Sequence, residues 1–450
     1  MRRIRFLLLA GALVWGAAGQ PPAPPPQPGT APQQPGQLAS QGGPISLTLQ
    51  NALVRARAYS PEFQSAVIAA SSAREGVVQA RAAFFPTLNY LNQYIWTQAN
   101  GTPTGIFVAA NGVNVYNIQA VVHEELFSVT ARAEYRRALF EEAAAQARQQ
   151  IAARGLVATV VGAYYGLAAA QRHLANAQLS LNEARQFLDI TQKQERGGEV
   201  AHADVVKAEL NLEQRQRDLQ EAQLNAEKAR IALGVMMFPD VNQQYTIQDD
   251  LATLGVLPPL NDVQSMALSR SPDVRAAEAA LKAANYGVVS ARGAYYPSLV
   301  LDYFFGIDAN QIAIHDPEGH NNLGSSVQGT VNVPVWNWGA TRSRVRQAQL
   351  QQQQAQVDLT FTQRTLQSNI STFYMEAQIA LAQVNSLRRS ADLAAESLRL
   401  TILRYQAGEA TALEVSDAQS TLVQARNAYD DGLARYRVAL ASIQTLTGTL

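Results

Sequence analysis

The sequence predicts an α+β membrane protein built twice over from one design. Three observations predict it: an internal repeat, strand-length segments alternating apolar and polar side chains, and helical stretches far longer than a globular core needs. The repeat is read from landmarks sharing one offset. Tyr59-Ser60-Pro61-Glu62 answers to Arg270-Ser271-Pro272-Asp273, and Ala83-Phe84-Phe85-Pro86 to Ala294-Tyr295-Tyr296-Pro297, both 211 residues on (272 − 61 and 297 − 86). Gly198-Glu199 and Gly408-Glu409 keep nearly that spacing, as do Tyr164 and Tyr374.

At the N-terminus Arg2, Arg3 and Arg5 precede an apolar run from Phe6 to Trp15 and the small residues Ala17-Ala18-Gly19. This is the pattern of a cleaved secretory signal, assigned to residues 1–19. The run falls short of the ~20 residues of a spanning helix. No other stretch reads as apolar enough to span as a helix, so a membrane domain is expected to be β-sheet. Residues 20–44, rich in Pro, Gln and Gly, read as a disordered leader. Repeat 1 is placed at 45–237, a linker at 238–260 and repeat 2 at 261–450.

Each repeat is expected to open with a short helix. Ser60 and Ser271 suit its N-cap, Pro61 and Pro272 its first position, and Pro86 and Pro297 its end. Two strands follow. Leu299, Leu301, Tyr303, Phe305 and Ile307 alternate with their neighbours, as do Val327, Gly329, Val331, Val333 and Val335 in the segment 326–335. Counterparts lie at 88–96 and 115–127. About ten residues per strand is the length of a tilted transmembrane strand. Phe84, Phe85, Trp96, Phe127, Tyr295, Tyr296, Trp336 and Trp338 cluster at the strand ends like an aromatic girdle, although a soluble sheet also carries such alternation. Then come proline-free stretches. A helix from Ser128 to Glu195 would be roughly 100 Å long. Breaks at Gly197-Gly198 and Gly408 return the chain along helices with heptads at Leu212, Leu219, Ala226 and Leu233, and at Leu422, Tyr429, Tyr436 and Ile443. That spacing predicts coiled-coil packing.

Four strands cannot close a barrel alone, and open edges cannot face lipid. The chain must borrow strands from other copies. Three copies would give a 12-stranded barrel continued by an α-helical one, although strand count does not choose among two, three or four.

The paired Phe-Phe-Pro and Tyr-Tyr-Pro junctions, the strand exit Val333-Pro334-Val335-Trp336-Asn337-Trp338-Gly339 and the turn Tyr405-Gln406-Ala407-Gly408-Glu409-Ala410-Thr411-Ala412-Leu413-Glu414-Val415-Ser416-Asp417-Ala418-Gln419 resemble the TolC-type outer-membrane efflux family, over about Ile45 to Leu450. The resemblance implies a homotrimer in the outer membrane with a long periplasmic extension. It implies an exit duct of a tripartite efflux or type I secretion system, docked on a periplasmic adaptor and an inner-membrane pump, carrying drugs, metal ions or proteins. Repeat 1 departs from the pattern, with Glu125-Leu126-Phe127 where the family has Pro-Leu-Phe. The lipid-acceptor cysteine of some members is absent too.

By the same resemblance Glu414 and Asp417 line the periplasmic constriction, and Asp204 takes the acidic position of an inter-hairpin lock whose basic position falls on Ala410, so that lock is expected to be missing. Glu414 also completes a capping box with Thr411, and the residues alone favour capping. The tips Arg196, Gly198, Glu199, Arg404, Gly408 and Glu409 are the expected adaptor contacts, or else solvated helix ends. Gly198 and Gly408 are expected to supply left-handed turn backbone.

Other classes find little support. Zero formal net charge over 450 residues gives no electrostatic case for nucleic acid, and the absence of cysteine removes disulfides and thiolate chemistry. His315, Asp316, Glu318 and His320 read as an exposed loop and not a metal site. No catalytic constellation or cofactor motif is present, so no enzyme and no cofactor is expected. The alternative is a coiled-coil structural protein of the envelope without channel activity.

Overall fold

The computed structural model describes residues 45–96, 113–240 and 242–449. The signal peptide and leader lie outside them. A short strand β1 (Ile45–Leu47) leads to helices α1 (Leu49–Tyr59) and α2 (Pro61–Ala82), strands β2 (Thr87–Trp96) and β3 (Asn114–Phe127), and helices α3 (Val129–Gly197) and α4 (His202–Met237). A second short strand, β4 (Tyr245–Ile247), precedes α5 (Leu260–Arg270), α6 (Pro272–Gly293), β5 (Ser298–Ala309), β6 (Leu323–Asn332), α7 (Ala340–Gln406) and α8 (Ala412–Thr447).

The helix starts follow local chemistry. Ser60 Oγ accepts from Phe63 N and Ser271 Oγ from Val274 N, each at 3.3 Å, with Pro at the next position. Ser128 Oγ caps α3 through Ala131 N at 3.1 Å. Each repeat opens on two short helices where one was expected, because the serine that starts the second also ends the first. Thr48 caps the unexpected α1, accepting from Asn51 N at 3.3 Å. Helices α2 and α6 stop at Ala82 and Gly293, before Pro86 and Pro297. There Phe85 N donates to Ala82 O and Tyr296 N to Gly293 O, both at 3.0 Å, making the aromatic pairs a tight turn.

The strands form one antiparallel sheet in the order β2-β3-β5-β6. Register explains the alternation. Leu299 faces Val331, Leu301 faces Gly329 and Tyr303 faces Val327, so the apolar rows of β5 and β6 share one face. Val122, Ala120 and Ile118 extend that face into β3, opposite Leu88, Tyr90 and Asn92 of β2. The other face holds a polar row of Thr87, His123, Asp302 and Gln328, with His123 Nδ1 2.7 Å from Asp302 Oδ1. Strand β6 is displaced from its expected limits. It ends at Asn332, since Pro334 has no N–H for the ladder, and Val335 beyond it is 87% exposed. Phe85, Trp96, Tyr295, Tyr296, Trp336 and Trp338 are exposed at the strand ends. Phe84 instead packs edge-on against Tyr135, with centroids 5.7 Å apart.

At 69 and 67 residues, α3 and α7 each run about 100 Å at 1.5 Å per residue. Next to the sheet, α2, α3, α6 and α7 pack side by side; farther away the row is α4, α3, α8 and α7. Of the heptad positions, Ala226, Leu233, Leu422, Tyr436 and Ile443 are buried, and Leu212, Leu219 and Tyr429 half-buried. One expectation is corrected. Helix α3 does hold an 18-residue window apolar enough to cross a membrane by composition. However, Val160, Val161, Tyr164, Leu167 and Ala168 of this helix are buried in a core with α1, α4 and α8, so the apolar run serves internal packing.

The described residues between α4 and α5 are packed on the rest of the chain. Strand β4 pairs in parallel with β1, and Leu251 is fully buried. Arg172 ties this segment down: Nε and Nη2 donate to Asp249 at 2.7 and 3.1 Å, and Nη1 to Asp430 of α8 at 3.1 Å. Burial pushes the Asp249 carboxyl up, but the Arg172 hydrogen bonds, the Leu251 amide and the Arg172 charge outweigh it and hold it below its ordinary value. A depressed folded pKa contributes stability that is full above the unfolded value of about 3.9 and is lost as pH falls through the folded value. Arg172→Ala is therefore expected to move acid unfolding to higher pH, read by circular dichroism from roughly pH 6 to pH 2. An unchanged acid midpoint would contradict it.

Candidate functional site: the helical hairpin tips

The two hairpins end at matching turns. Gly198 and Gly408 adopt φ of +76° and +74°, the left-handed region that favours glycine. The turns share one bond pattern: Glu199 N donates to Gln194 O at 2.9 Å and Glu409 N to Arg404 O at 2.8 Å, satisfying carbonyls left over at the helix end. An apolar cluster joins the hairpins behind the turns. Phe187 and Ala208 come from the first, and Leu398, Tyr405, Val415 and Leu422 from the second. Tyr405 meets Phe187 edge-on at 5.1 Å. Burial, with Asp204 near, pushes its hydroxyl pKa up. Deeper in, Asn211 Nδ2 donates to Gln419 Oε1 at 2.6 Å, both residues being buried.

The capping box at Glu414 is complete. Glu414 N donates to Thr411 Oγ1 at 3.3 Å, and Thr411 N donates back to Glu414 Oε1 at 3.1 Å. Arg404 adds a contact that spacing did not suggest. Its Nη1 lies 3.6 Å from Glu414 Oε2, and its Nη2 donates to Glu409 O at 2.9 Å. It braces its own turn from ten residues away, a distance only the reversal of the chain can close. Asp417 is exposed one turn along α8. Asp204 is half-buried and lies 3.4 Å from Lys207 on its own helix, while Ala410 packs on the apolar cluster. Arg196 and Glu199 are exposed. The first turn is built more simply: Ala201 at the N-cap of α4 offers no side-chain bond. Sequence reasoning missed Tyr405, Asn211 and Gln419 as the ties between hairpins. For Asn211 and Gln419 the available signal was their place beside the heptad residues Leu212 of α4 and Leu422 of α8; Tyr405, on α7, carried no such signal.

The β5–β6 connection is a turn that uses its own acids. Asp316 Oδ1 accepts from Glu318 N at 2.9 Å and His320 N at 2.7 Å, and Oδ2 lies 2.8 Å from His320 Nδ1. Gly319 supplies φ of +88°. Asp316, Glu318 and His320 can bring one ligand atom each within 4.8 Å of the others, but the carboxylate of Asp316 is already holding the turn.

A four-stranded sheet with one apolar face, joined to a paired set of helical hairpins of this length, defines an outer-membrane channel component. The family model for outer membrane efflux proteins matches residues 52–237 and 263–449, one segment in each repeat, and the chain belongs to that family. Relatives include the pyoverdine export outer membrane protein OpmQ of Pseudomonas aeruginosa, 25% identical over 413 residues, covering 89% of this chain and 85% of the relative. The alkaline protease secretion protein AprF of the same organism is 23% identical, covering 87% and 82%. Among solved structures, the Campylobacter jejuni CmeC outer membrane channel superposes with a TM-score of 0.76 at 18% identity, covering 89% of this chain and 85% of that one. The outer-membrane channel OprN gives 0.77 at 20%, covering 89% of each. The protein is an outer-membrane exit duct for efflux or secretion, and members of its family are channels.

Proposed function

We propose that three copies close head to tail into one tube, which passes cargo from a periplasmic adaptor and an inner-membrane pump to the exterior without catalytic chemistry of its own. The observation that carries this is a set of open edges at every level. Among the described residues, β2 and β6 of the sheet each pair on one side only. Beside them, exposed Ile68 and Val78 of α2 and Leu350, Val357 and Phe361 of α7 mark the ends of the upper helix row. Lower down, Val206, Leu210 and Leu224 of α4 and Met375, Ile379 and Leu393 of α7 do the same. Two unlike edges that complement each other make a heterologous contact, which forms a ring when the rotation from copy to copy closes. With the four described strands of this sheet in each chain, two copies would make an eight-stranded barrel, about the size that side chains fill; twelve strands leave a lumen. The apolar sheet face also disfavours an envelope scaffold with a soluble cap.

The division into repeats at 45–237 and 261–450, behind a signal peptide and leader, belongs to this reading. So does the role of the tips as the adaptor-facing end, with Arg196, Gly198, Glu199, Arg404, Gly408 and Glu409 as the contact surface. Three copies of Glu414 and Asp417, with Asp204 behind them, would ring the narrow end with carboxylates and favour cations. The test is single-channel conductance of the purified protein in planar bilayers, with its mass in detergent. A trimer carrying cation-preferring current is expected; a soluble particle without current would end the proposal.

The cap and the gate separate by substitution. Glu414→Gln with Asp417→Asn keeps hydrogen-bonding groups at both places and removes the charge. It is expected to lower cation selectivity, read as the reversal potential in a salt gradient, with little change in stability. Thr411→Ala should instead destabilise the tip by about 1 kcal/mol. Unchanged reversal potential in the double variant would leave Glu414 as a cap only.

A further inference from the structure

The apolar face of the sheet continues onto one side of the helices next to it. Phe127 of β3 pairs with Leu299 of β5, so its ring lies on the face that holds Leu299 and Val331. The Arg132 guanidinium stands over that ring, 5.4 Å from its centroid. Arg132, Arg136 and Phe140 follow at steps of four and so share one side of α3. Tyr286 of α6 meets the same strip. It stacks on Phe140 at 5.5 Å, and the Arg136 guanidinium lies 5.7 Å from its centroid. Lys282 Nζ, one turn back on α6, lies 5.8 Å from the Phe140 centroid. Helices α3 and α6 are the middle pair of the row α2, α3, α6 and α7, so a neighbouring copy joined at the ends of the row leaves this side uncovered.

All three cations are exposed, and among the described residues none has an ion-pair or hydrogen-bond partner. Arg137, Glu134 and Glu141 instead line a groove on the other side of the row, where the arginine pairs with both glutamates. A cation resting on a ring keeps N–H donors free for a second partner. At 1.5 Å per residue, Arg132 stands about 5 Å and Arg136 about 10 Å beyond the start of α3, and Lys282 about 17 Å before the end of α6. The headgroup layer of one leaflet is roughly 5–7 Å deep. With the sheet in the hydrocarbon, the long side chains of Arg132 and Arg136 reach that layer, and Lys282 stands outside it. We infer that Arg132 and Arg136 hold anionic phospholipid headgroups of the leaflet that meets the helices, each guanidinium set between an aromatic ring and a lipid phosphate, with Lys282 adding charge behind them. Guanidinium forks match phosphate oxygens, and basic groups interleaved with aromatic rings suit the boundary between hydrocarbon and water. The inference rests on the duct reading, in which the apolar face of the sheet meets lipid.

The test is thermal unfolding of the purified full chain in detergent micelles titrated with dioleoylphosphatidylglycerol, and separately with zwitterionic dioleoylphosphatidylcholine or inorganic phosphate. Phosphatidylglycerol is expected to raise Tm, phosphatidylcholine to raise it less, and inorganic phosphate to leave it unchanged. R132Q and R136Q should each raise the phosphatidylglycerol concentration that gives half the shift about fivefold, and K282Q less. R344Q, four residues into α7 on the groove side, should leave it unchanged. Each variant is compared with itself without lipid, so lost packing lowers Tm without changing the response. The comparison of lipids on the unsubstituted protein decides even where a variant fails to assemble. Equal shifts from both lipids, a shift reproduced by inorganic phosphate, or an unchanged phosphatidylglycerol response in R132Q and R136Q overturns the inference and leaves the duct standing. A protein that stays soluble without detergent overturns the duct and this surface with it.

Discussion

Gly306→Val is expected to prevent assembly of the sheet. Gly306 lies mid-strand in β5, opposite Gln119 of β3, at φ +156°. A Cβ there would stand 2.1 Å from Ile118 O and 2.6 Å from Gln119 Cα. Both atoms are backbone of the paired strand, so no rotamer change relieves the clash; β3 must move away and break its ladder. The loss should exceed the ~1–3 kcal/mol of ordinary overpacking. Gly324, its direct neighbour on β6, is the control, because a Cβ there meets nothing within 4 Å. The comparison is the amount of heat-modifiable oligomer in outer-membrane fractions. G306V should abolish it and Gly324→Ala should keep it. Equal yields from the two would mean that the close approach of β5 and β3 is not required.

Tyr164→Ala should give the next largest effect. Tyr164 is 1% exposed in the core where both repeats meet. Its hydroxyl donates to Gln248 O at 2.7 Å, and Leu47 O lies 3.2 Å away. It thus ties the carbonyls beyond β4 and at the end of β1 to the middle of α3. Burial pushes the hydroxyl pKa up to about 12, so it remains a donor at any working pH. Truncation removes a buried ring and leaves a cavity, a loss of about 3–5 kcal/mol. Tyr164→Phe removes only the hydrogen bonds, about 1–2 kcal/mol. Thermal unfolding in detergent should rank wild type above Y164F and Y164F above Y164A. A Y164F variant as unstable as Y164A would place the effect in the hydroxyl and not in packing.

Much of the architecture was legible in the sequence, and the hits share a cause. The caps at Ser60 and Ser271 and the glycine turns at Gly198 and Gly408 involve groups within a few residues of each other. Local side-chain and backbone geometry decides them. The strand faces were legible because period 2 is enforced by the pleat. The errors have separate causes. The end of β6 was set too late because alternation continues through Val333 and Val335, while the proline between them stops the ladder. The apolar run in α3 did not stand out in the sequence. The mini-sheet β1–β4 was missed because three-residue strands carry no period.

The candidate site divides in the same way. The Thr411–Glu414 box could be read from four consecutive residues, and it formed. Arg404 bracing Glu414, Tyr405 edge-on to Phe187, and Asn211 bonded to Gln419 could not be read, because each joins residues that are distant in sequence or lie on different hairpins.

The sequence by itself determined the repeat, the order of the long helices and of the four strands of the main sheet, the turn points and the family, all properties of short stretches or of one stretch compared with another. Only the tertiary structure decided the strand register that brings the apolar rows onto one face, the pairing of hairpins through Tyr405 and Phe187, and the anchoring of β1 and β4 on α3 by Tyr164. Those depend on side chains hundreds of residues apart arriving at the same place, and burial and hydrogen-bond geometry choose among them only once the chain has folded.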